Sequence, residues 1–269
     1  ELQPCEIIVV DDCSPFDVEE FLNANGYSDS TNLYVARNPV NVGPSGSRNI
    51  GVAHAQGDFI AFLDSDDYWD KHKLAKQMRL FEQDPNLDLV YNNTWLVYEH
   101  KTIRSGKKLF KENLWHQLVN NCWTPPNPST IMIKREAMKK LGSFDFVLQH
   151  AEDIDLWMRL TLQGMKVDYC DEELTYFTFH STGRLTKQYH KKFTRIKPFF
   201  AKWEKHFRQA NDMKGFRAFK RGTITKFAIE TFADSFKDRS MVTPLKMYFK
   251  YLWNKGEFYD MIFRKLLPV

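Results

Sequence analysis

The sequence predicts an α/β protein, with a mainly parallel sheet flanked by helices and a helical C-terminal region. Three observations carry that expectation. Strand-like and helix-like segments alternate over the first 65 or so residues, in the order strand, helix, strand, helix, strand. Two of the strand-like runs are apolar on both faces and end abruptly in acidic residues, as strands buried in a parallel sheet do at their carboxyl ends. Composition then changes sharply near residue 184. Residues 1–183 hold 17 Lys/Arg against 27 Asp/Glu, whereas residues 184–269 hold 21 against 7. A net charge of only +4 hides this split. We therefore expect a sheet domain over 1–183 and a basic, aromatic-rich helical region over 184–269.

Each element has its own justification. Glu6 to Val10 is β-branched and apolar, and it stops at Asp11-Asp12. Asp17 to Asn25 places Val18, Phe21 and Leu22 on one helical side, with Gly26 as the stop. Leu33 to Ala36 is a short strand. The Gly/Ser loop from Asn41 to Ser47 leads into a predicted helix from Arg48 to Ala55, closed by Gly57. Phe59 to Leu63 is the third strand, and Asp64-Ser65-Asp66-Asp67 follows it directly.

That acidic cluster is the most informative stretch of the chain. Closely packed carboxylates repel and raise one another's pKa, and a bound cation relieves this. Oxygen ligands without a Cys or His cluster suit Mg²⁺ or Mn²⁺ rather than zinc. An acidic loop or a helix cap accounts for such residues equally well when the cluster is taken alone.

Other classes are disfavoured. No run of about 18 apolar residues is present, and residues 1–4 do not resemble a secretory leader. Four cysteines without metal-ligand spacing fit a reducing cytoplasm. The basic C-terminal segment carries no RNA- or DNA-binding motif, so nucleic acid is not an expected partner. Its interleaved Lys/Arg and aromatic residues fit either a solvated face of a helical subdomain or docking on an anionic membrane surface.

Several motifs, in order, resemble glycosyltransferase family 2, the inverting enzymes of the GT-A fold. They are Ile7 to Ser14; Asn41-Val42-Gly43 with Gly46-Ser47-Arg48-Asn49; and Phe62 to Asp67 with Trp69 just beyond. Downstream come Ser129 to Arg135, Leu141 to Asp145, and Glu152-Asp153-Ile154-Asp155-Leu156-Trp157. The similarity covers about residues 5–183. It implies a GT-A-type, Rossmann-like fold and transfer of a sugar from a nucleotide-sugar donor, UDP-linked by preference. The implied acceptor is a saccharide or lipid-linked saccharide, and the implied setting is the cytoplasmic side, peripheral to the membrane.

Residue roles follow from the same resemblance. One of Asp11 and Asp12 would accept a hydrogen bond from the nucleotide base while its neighbour caps the next turn. Arg48 would contact the donor, or pair with the acidic cluster. Asp64 and Ser65 would face the donor, and Asp66 would hold Mn²⁺ or Mg²⁺ on the diphosphate, with His180 as a further metal ligand. Asp153 would be the general base and Glu152 its helper, although first-turn capping of a helix explains that pair too. Trp95, Tyr98 and Trp115 could stack on sugars, with core packing as the default. The Pro-rich loop from Trp123 to Pro128 is expected to be a rigid connector. The resemblance also implies a strand and helix ahead of Ile7, so roughly 30 further residues are expected before Glu1. Two rivals remain at this point: a non-catalytic nucleotide-sugar-binding module, and a sugar-nucleotide nucleotidyltransferase.

Overall fold

The computed structural model describes residues 2–27, 32–105, 109–120, 125–179 and 195–237, with side chains as far as residue 225. His180, Trp123, Thr124 and residues 238–269 of the basic region lie outside the described residues.

The chain opens with β1 (Ile7–Asp11), α1 (Val18–Ala24) and β2 (Leu33–Arg37). β1 and β2 pair in parallel, with Ile7 opposite Leu33 and Asp11 opposite Arg37. Asp17 caps α1 by accepting from the Glu20 N–H. Helix α2 (Gly43–His54) follows, beginning five residues ahead of its expected start. The early start has a physical cause. Pro44 sits in the first turn with φ already set, and the Asp12 carboxylate accepts from the N–H groups of Val42 and Gly43 at 2.8 Å each.

A second sheet carries the rest of the domain. Its strands are β3 (Phe59–Ala61), β4 (Tyr68–Trp69), β5 (Leu89–Tyr98), β6 (Lys101–Arg104), β7 (Met132–Lys134) and β8 (Val167–Thr178). Their order is β3-β7-β5-β8-β4, with β6 hairpinned onto β5. The α/β class stands, but the sheet is mixed rather than mainly parallel. β1–β2 and β5–β8 are parallel; β3–β7, β5–β7, β4–β8 and β5–β6 run antiparallel. A short connection accounts for the β5–β6 hairpin; the other antiparallel pairs join strands distant in sequence, whose direction is set by packing partners. Among the described residues, β1 pairs only with β2, and β3 only with β7. The β1–β2 unit is tied to the larger sheet through Glu6, whose carboxylate accepts from the N–H groups of Gln56 and Gly57 at 2.7 Å each.

Helices α3 (Lys73–Gln83), α4 (Leu114–Val119), α5 (Arg135–Leu141) and α6 (Glu152–Leu162) pack around this sheet. A one-turn 3₁₀ helix at Pro128–Thr130 leads into β7. Helices α7 (Lys197–Gln209) and α8 (Met213–Lys237) close the chain. Phe199, Phe200, Trp203 and Phe207 of α7, with Phe216 and Phe219 of α8, are buried in the same core as Tyr91, Leu156 and Trp157. Trp115 joins them, stacked 5.5 Å from Phe207, which settles it as a packing residue. A second, smaller core lies between α3 and the sheet around Phe81, Leu87, Val90 and Leu174.

Candidate active site

The acidic turn follows β3 and is shaped by residues distant in sequence. Asp67 N–H donates to the Asp64 carbonyl at 3.0 Å, closing the turn. The Asp67 side chain is buried and points inward. Ser129 Oγ donates to its Oδ2 at 2.6 Å, and the Thr178 N–H donates to Oδ1 at 3.1 Å. Ser129 Oγ also accepts from the Asp64 N–H at 3.1 Å, so one fully buried hydroxyl grips both ends of the turn. Trp69 Nε1 donates to the Ser129 carbonyl at 2.7 Å. Burial pushes the Asp67 carboxyl up to about 6, aided by the charges of Asp64 and Asp66 and opposed by the Ser129 and Thr178 donors. With Asp67 inward, Ser65 and Asp66 are exposed at the tip and Asp64 is half-buried.

Arg48, in the middle of α2, links this turn to a segment a hundred residues away. Its Nη2 lies 2.6 Å from Asp64 Oδ1 and its Nη1 lies 3.4 Å from Glu152 Oε1. The guanidinium is only 13% exposed and sits 5.4 Å from the Phe144 ring centroid. Its Nε is buried and has no hydrogen-bond partner among the described residues. The neighbouring Asn49 clamps Phe144, donating to its carbonyl at 2.8 Å and accepting from its N–H at 2.9 Å. Two adjacent residues of α2 thus fix the loop that delivers α6.

Helix α6 begins at Glu152, with Asp153 and Asp155 in the same first turn. Ala151 ahead of it has φ 65° and ψ 26°, a left-handed conformation that costs a non-glycine residue about 1 kcal/mol. Burial and the charge of Asp153 raise the Glu152 pKa well above the usual carboxylate range, against the pull of Arg48. Asp153 Oδ1 accepts from the Ile154 N–H at 2.8 Å. Asp155 faces the opposite way and is fully buried. It accepts from Arg159 Nε at 2.8 Å and Trp203 Nε1 at 3.0 Å, and it lies 2.7 Å from Lys202 Nζ. The helix bearing Glu152 and Asp153 is therefore fastened to α7.

The residues after β1 divide their labour. Asp12 is engaged by Asn38, Val42 and Gly43, which outweigh its burial and lower its pKa. It caps the start of α2, while Asp11 caps the turn that directly follows β1. Asp11 accepts from the Ser14 N–H at 2.8 Å, the main cause of its lowered pKa, and its Oδ2 lies 3.0 Å from Arg37 Nη1.

Sequence reasoning placed Arg48, Asp64 and Glu152 in the site, and the structure brings these three together. It missed Asp67 and Ser129 as supports, because buried polar side chains that shape a turn carry no local motif. The one available signal was Ser129 lying between a Pro-rich loop and an apolar strand. His180 lies outside the described residues. Among the described residues, no three His, Cys, Asp or Glu side chains form a ready metal cage. Asp64 is paired with Arg48 and Asp67 is turned inward, leaving Asp66 as the exposed carboxylate of the turn. That donor set fits Mg²⁺ or Mn²⁺ in the mode where one or two carboxylates hold the ion and phosphate oxygens and water complete its shell.

The chain was compared with known proteins. An uncharacterized glycosyltransferase of Haemophilus influenzae is 32% identical over 184 residues, spanning 65% of this chain and 59% of that protein. The Escherichia coli protein WfgD, a UDP-Glc:alpha-D-GlcNAc-diphosphoundecaprenol beta-1,3-glucosyltransferase, is 31% identical over 160 residues, spanning 58% of this chain and 57% of that protein. The chain thus spans less than two thirds of the length of these relatives. Among solved structures, residues 1–349 of S. aureus TarS superpose with a TM-score of 0.54 at 25% identity, covering 64% of this chain and 51% of that one. The architecture is of the GT-A type implied by the motifs. Residues 1–142 match the family described as Glycosyl transferase family 2, more than half of the chain, and on that match the protein belongs to that family.

Proposed function

We propose that the protein transfers a sugar, with inversion, from a UDP-sugar to a saccharide or lipid-linked saccharide acceptor. The observation that carries this reading is Arg48, which joins the acidic turn after β3 to the start of α6 within a single half-buried site. The donor and acceptor classes are supported by WfgD, whose own donor is UDP-Glc and whose acceptor is a GlcNAc-diphospho lipid.

In this account Asp66 presents the carboxylate that would hold Mg²⁺ or Mn²⁺ against the donor diphosphate. When bound, such an ion supplies Lewis-acid compensation for the charge of the departing nucleoside diphosphate. Everything else falls to this chain's own side chains. Asp11 or Asp12 with Ser65 lines the donor path; Asp12 is the more accessible of the two, since the Asp11 side chain is only 1% exposed. Arg48 orients Asp64 and Glu152. Its Nε–H, which has no partner among the described residues, is a donor suited to an oxygen acceptor, since buried donors seldom stay unpaired. Asp153 takes the proton from the acceptor hydroxyl as that oxygen attacks the anomeric carbon from the face opposite the diphosphate. Glu152 sets the local charge and accepts from Arg48. Ala151's left-handed backbone aims both acids, and Asp155 anchors their helix to α7.

The test is a calorimetric titration of UDP with and without Mn²⁺, in the wild type and in Asp66→Asn, beside a transfer assay from UDP-glucose to a soluble α-GlcNAc-diphosphoryl alkyl glycolipid. Ion-dependent UDP binding that Asp66→Asn abolishes, together with transfer, supports the reading. Equal UDP affinity in both proteins at limiting Mn²⁺ removes Asp66 from the role. A wild type that neither binds UDP nor transfers removes the function.

A further inference from the structure

Tyr68 stands at the edge of the larger sheet, directly after the acidic turn. Asp66 is exposed in the turn, Asp67 is buried, and Tyr68, the first residue of β4, is 48% exposed. Tyr68 thus follows Asp66 by two residues in sequence.

What lies behind the ring is unusual. In register across four strands, Tyr68 is opposite Tyr176, Tyr176 is opposite Trp95, and Trp95 is opposite Arg104. The Tyr68 and Tyr176 rings are nearly parallel, 8° apart, with centroids at 4.5 Å. Trp95 continues the stack at 20° and 6.5 Å, and the Arg104 guanidinium closes it 5.6 Å from the Trp95 ring. Glu173 in turn holds Arg104 at 3.4 Å. The rings stand upright on the sheet and cover one another's faces. Tyr68 is the terminal member, because β4 is the last strand in the order and no described strand pairs beyond it. One face of its ring is covered by Tyr176 and the other is turned outward. The stack fixes the ring's angle, so little side-chain freedom is left to lose on binding.

We propose that this outward face of Tyr68 is a stacking platform for a pyranose ring at the mouth of the site. The axial C–H groups of a hexopyranose make an apolar, weakly positive patch that matches the negative face of an aromatic ring. A phosphate chain has no such patch; a nucleobase could stack through its own π-face, and UDP alone controls for that. The proposal rests on the glycosyltransferase reading above and adds to it the residue that recognises the sugar. Two sources could supply the ring, the donor's transferred sugar or the acceptor's terminal sugar, and the ligands below tell them apart.

The experiment measures affinities of the full chain, with Mn²⁺, for three ligands: UDP, UDP-glucose and a soluble α-GlcNAc-diphosphoryl alkyl glycolipid. Wild type is compared with Tyr68→Phe, Tyr68→Leu and Tyr68→Ala. The expected result is an unchanged affinity for UDP in all four proteins. Tyr68→Phe should bind the sugar-bearing ligands as wild type does, while Tyr68→Leu and Tyr68→Ala should lose on the order of fivefold to tenfold, as one ring contact is worth. A loss confined to UDP-glucose assigns the donor ring, and one confined to the glycolipid assigns the acceptor ring. Tyr68→Leu binding both sugar ligands like wild type overturns the proposal while leaving the function intact. So does an equal loss on UDP, which would make Tyr68 a structural support. A wild type that binds neither sugar ligand overturns it as well, and one that fails to bind UDP overturns the underlying reading too.

Discussion

Lys73 is a fully buried lysine on α3, and replacing it with methionine should reverse the sign of its effect across the alkaline pH range. Its Nζ donates to Gln77 Oε1 at 2.8 Å and lies 4.1 Å from the Trp69 ring centroid. Among the described residues no carboxylate pairs with it. Burial lowers its pKa from 10.5 to about 7. At 1.36 kcal/mol per tenfold change, that fall corresponds to about 5 kcal/mol against the charged form. The sign follows from proton counting. Between pH 7 and 10.5 the unfolded chain keeps a proton on Lys73 that the folded chain has lost, so this group's contribution to stability rises with pH. The penalty is fully present below about pH 7 and relieved towards pH 10. Methionine removes it, at the expense of about 1–3 kcal/mol for the undonated Gln77 oxygen and, only where Lys73 is charged, about 1 kcal/mol for the cation–ring contact. Near pH 7 the Lys73→Met variant should therefore be the more stable by about 1 kcal/mol or somewhat more. Near pH 10 it should be less stable by about 1 kcal/mol. Urea unfolding of both proteins at half-unit steps from pH 6.5 to 10 measures the difference, in which titrations not coupled to Lys73 cancel; Cys170 is the coupled neighbour. A difference that stays constant with pH would refute the claim that the fold holds Lys73 neutral. The residue matters to the site because Gln77 donates to the Thr130 carbonyl at 2.8 Å, beside Ser129, and Trp69 donates to Ser129 itself.

Two further outcomes are expected. Asp155→Ala leaves Arg159 without its buried counter-charge, Lys202 with Asp145 alone and Trp203 Nε1 without its acceptor, so it should cost about 3–5 kcal/mol of stability in urea unfolding. A cost below 1 kcal/mol would show that α6 is not anchored through it. In the transfer reaction, kcat/KM should rise with pH along an acid limb displaced towards neutrality, because burial and the charge of Asp153 raise the pKa of Glu152 beside the base. Glu152→Gln removes one of the two charges, so the limb should move to lower pH. An unmoved limb would separate Glu152 from the base.

Much of the fold was legible because its elements announce themselves locally. The apolar run ending at Asp11, the capped helix after Asp17 and the strand ahead of Asp64 each carry a period or a boundary residue, and each is where it was expected. The start of α2 was misplaced because its cap, Asp12, comes from thirty residues upstream. The antiparallel entry of β7 and β4 was invisible for a related reason, since strand direction is fixed by packing partners rather than by composition. At the site, charged motifs at strand and helix ends drew attention to Asp64, Arg48 and Glu152. Ser129, Asp67 and the Tyr68–Tyr176–Trp95 stack arise only from register between distant strands. Trp95, taken from sequence as either a core or a sugar-binding aromatic, instead supports the exposed ring two strands away.

The central claim is that the donor grip after β3 and the proton acceptor at the head of α6 serve one pocket while doing separate work. Asp153→Asn, assayed for UDP-glucose binding with Mn²⁺ and for transfer to the α-GlcNAc-diphosphoryl glycolipid, tests it most directly. The account expects donor affinity within about threefold of wild type and transfer slowed by roughly 10²–10⁴-fold, the usual range for loss of a general base. Transfer at the wild-type rate, or donor affinity lost in step with transfer, would contradict it.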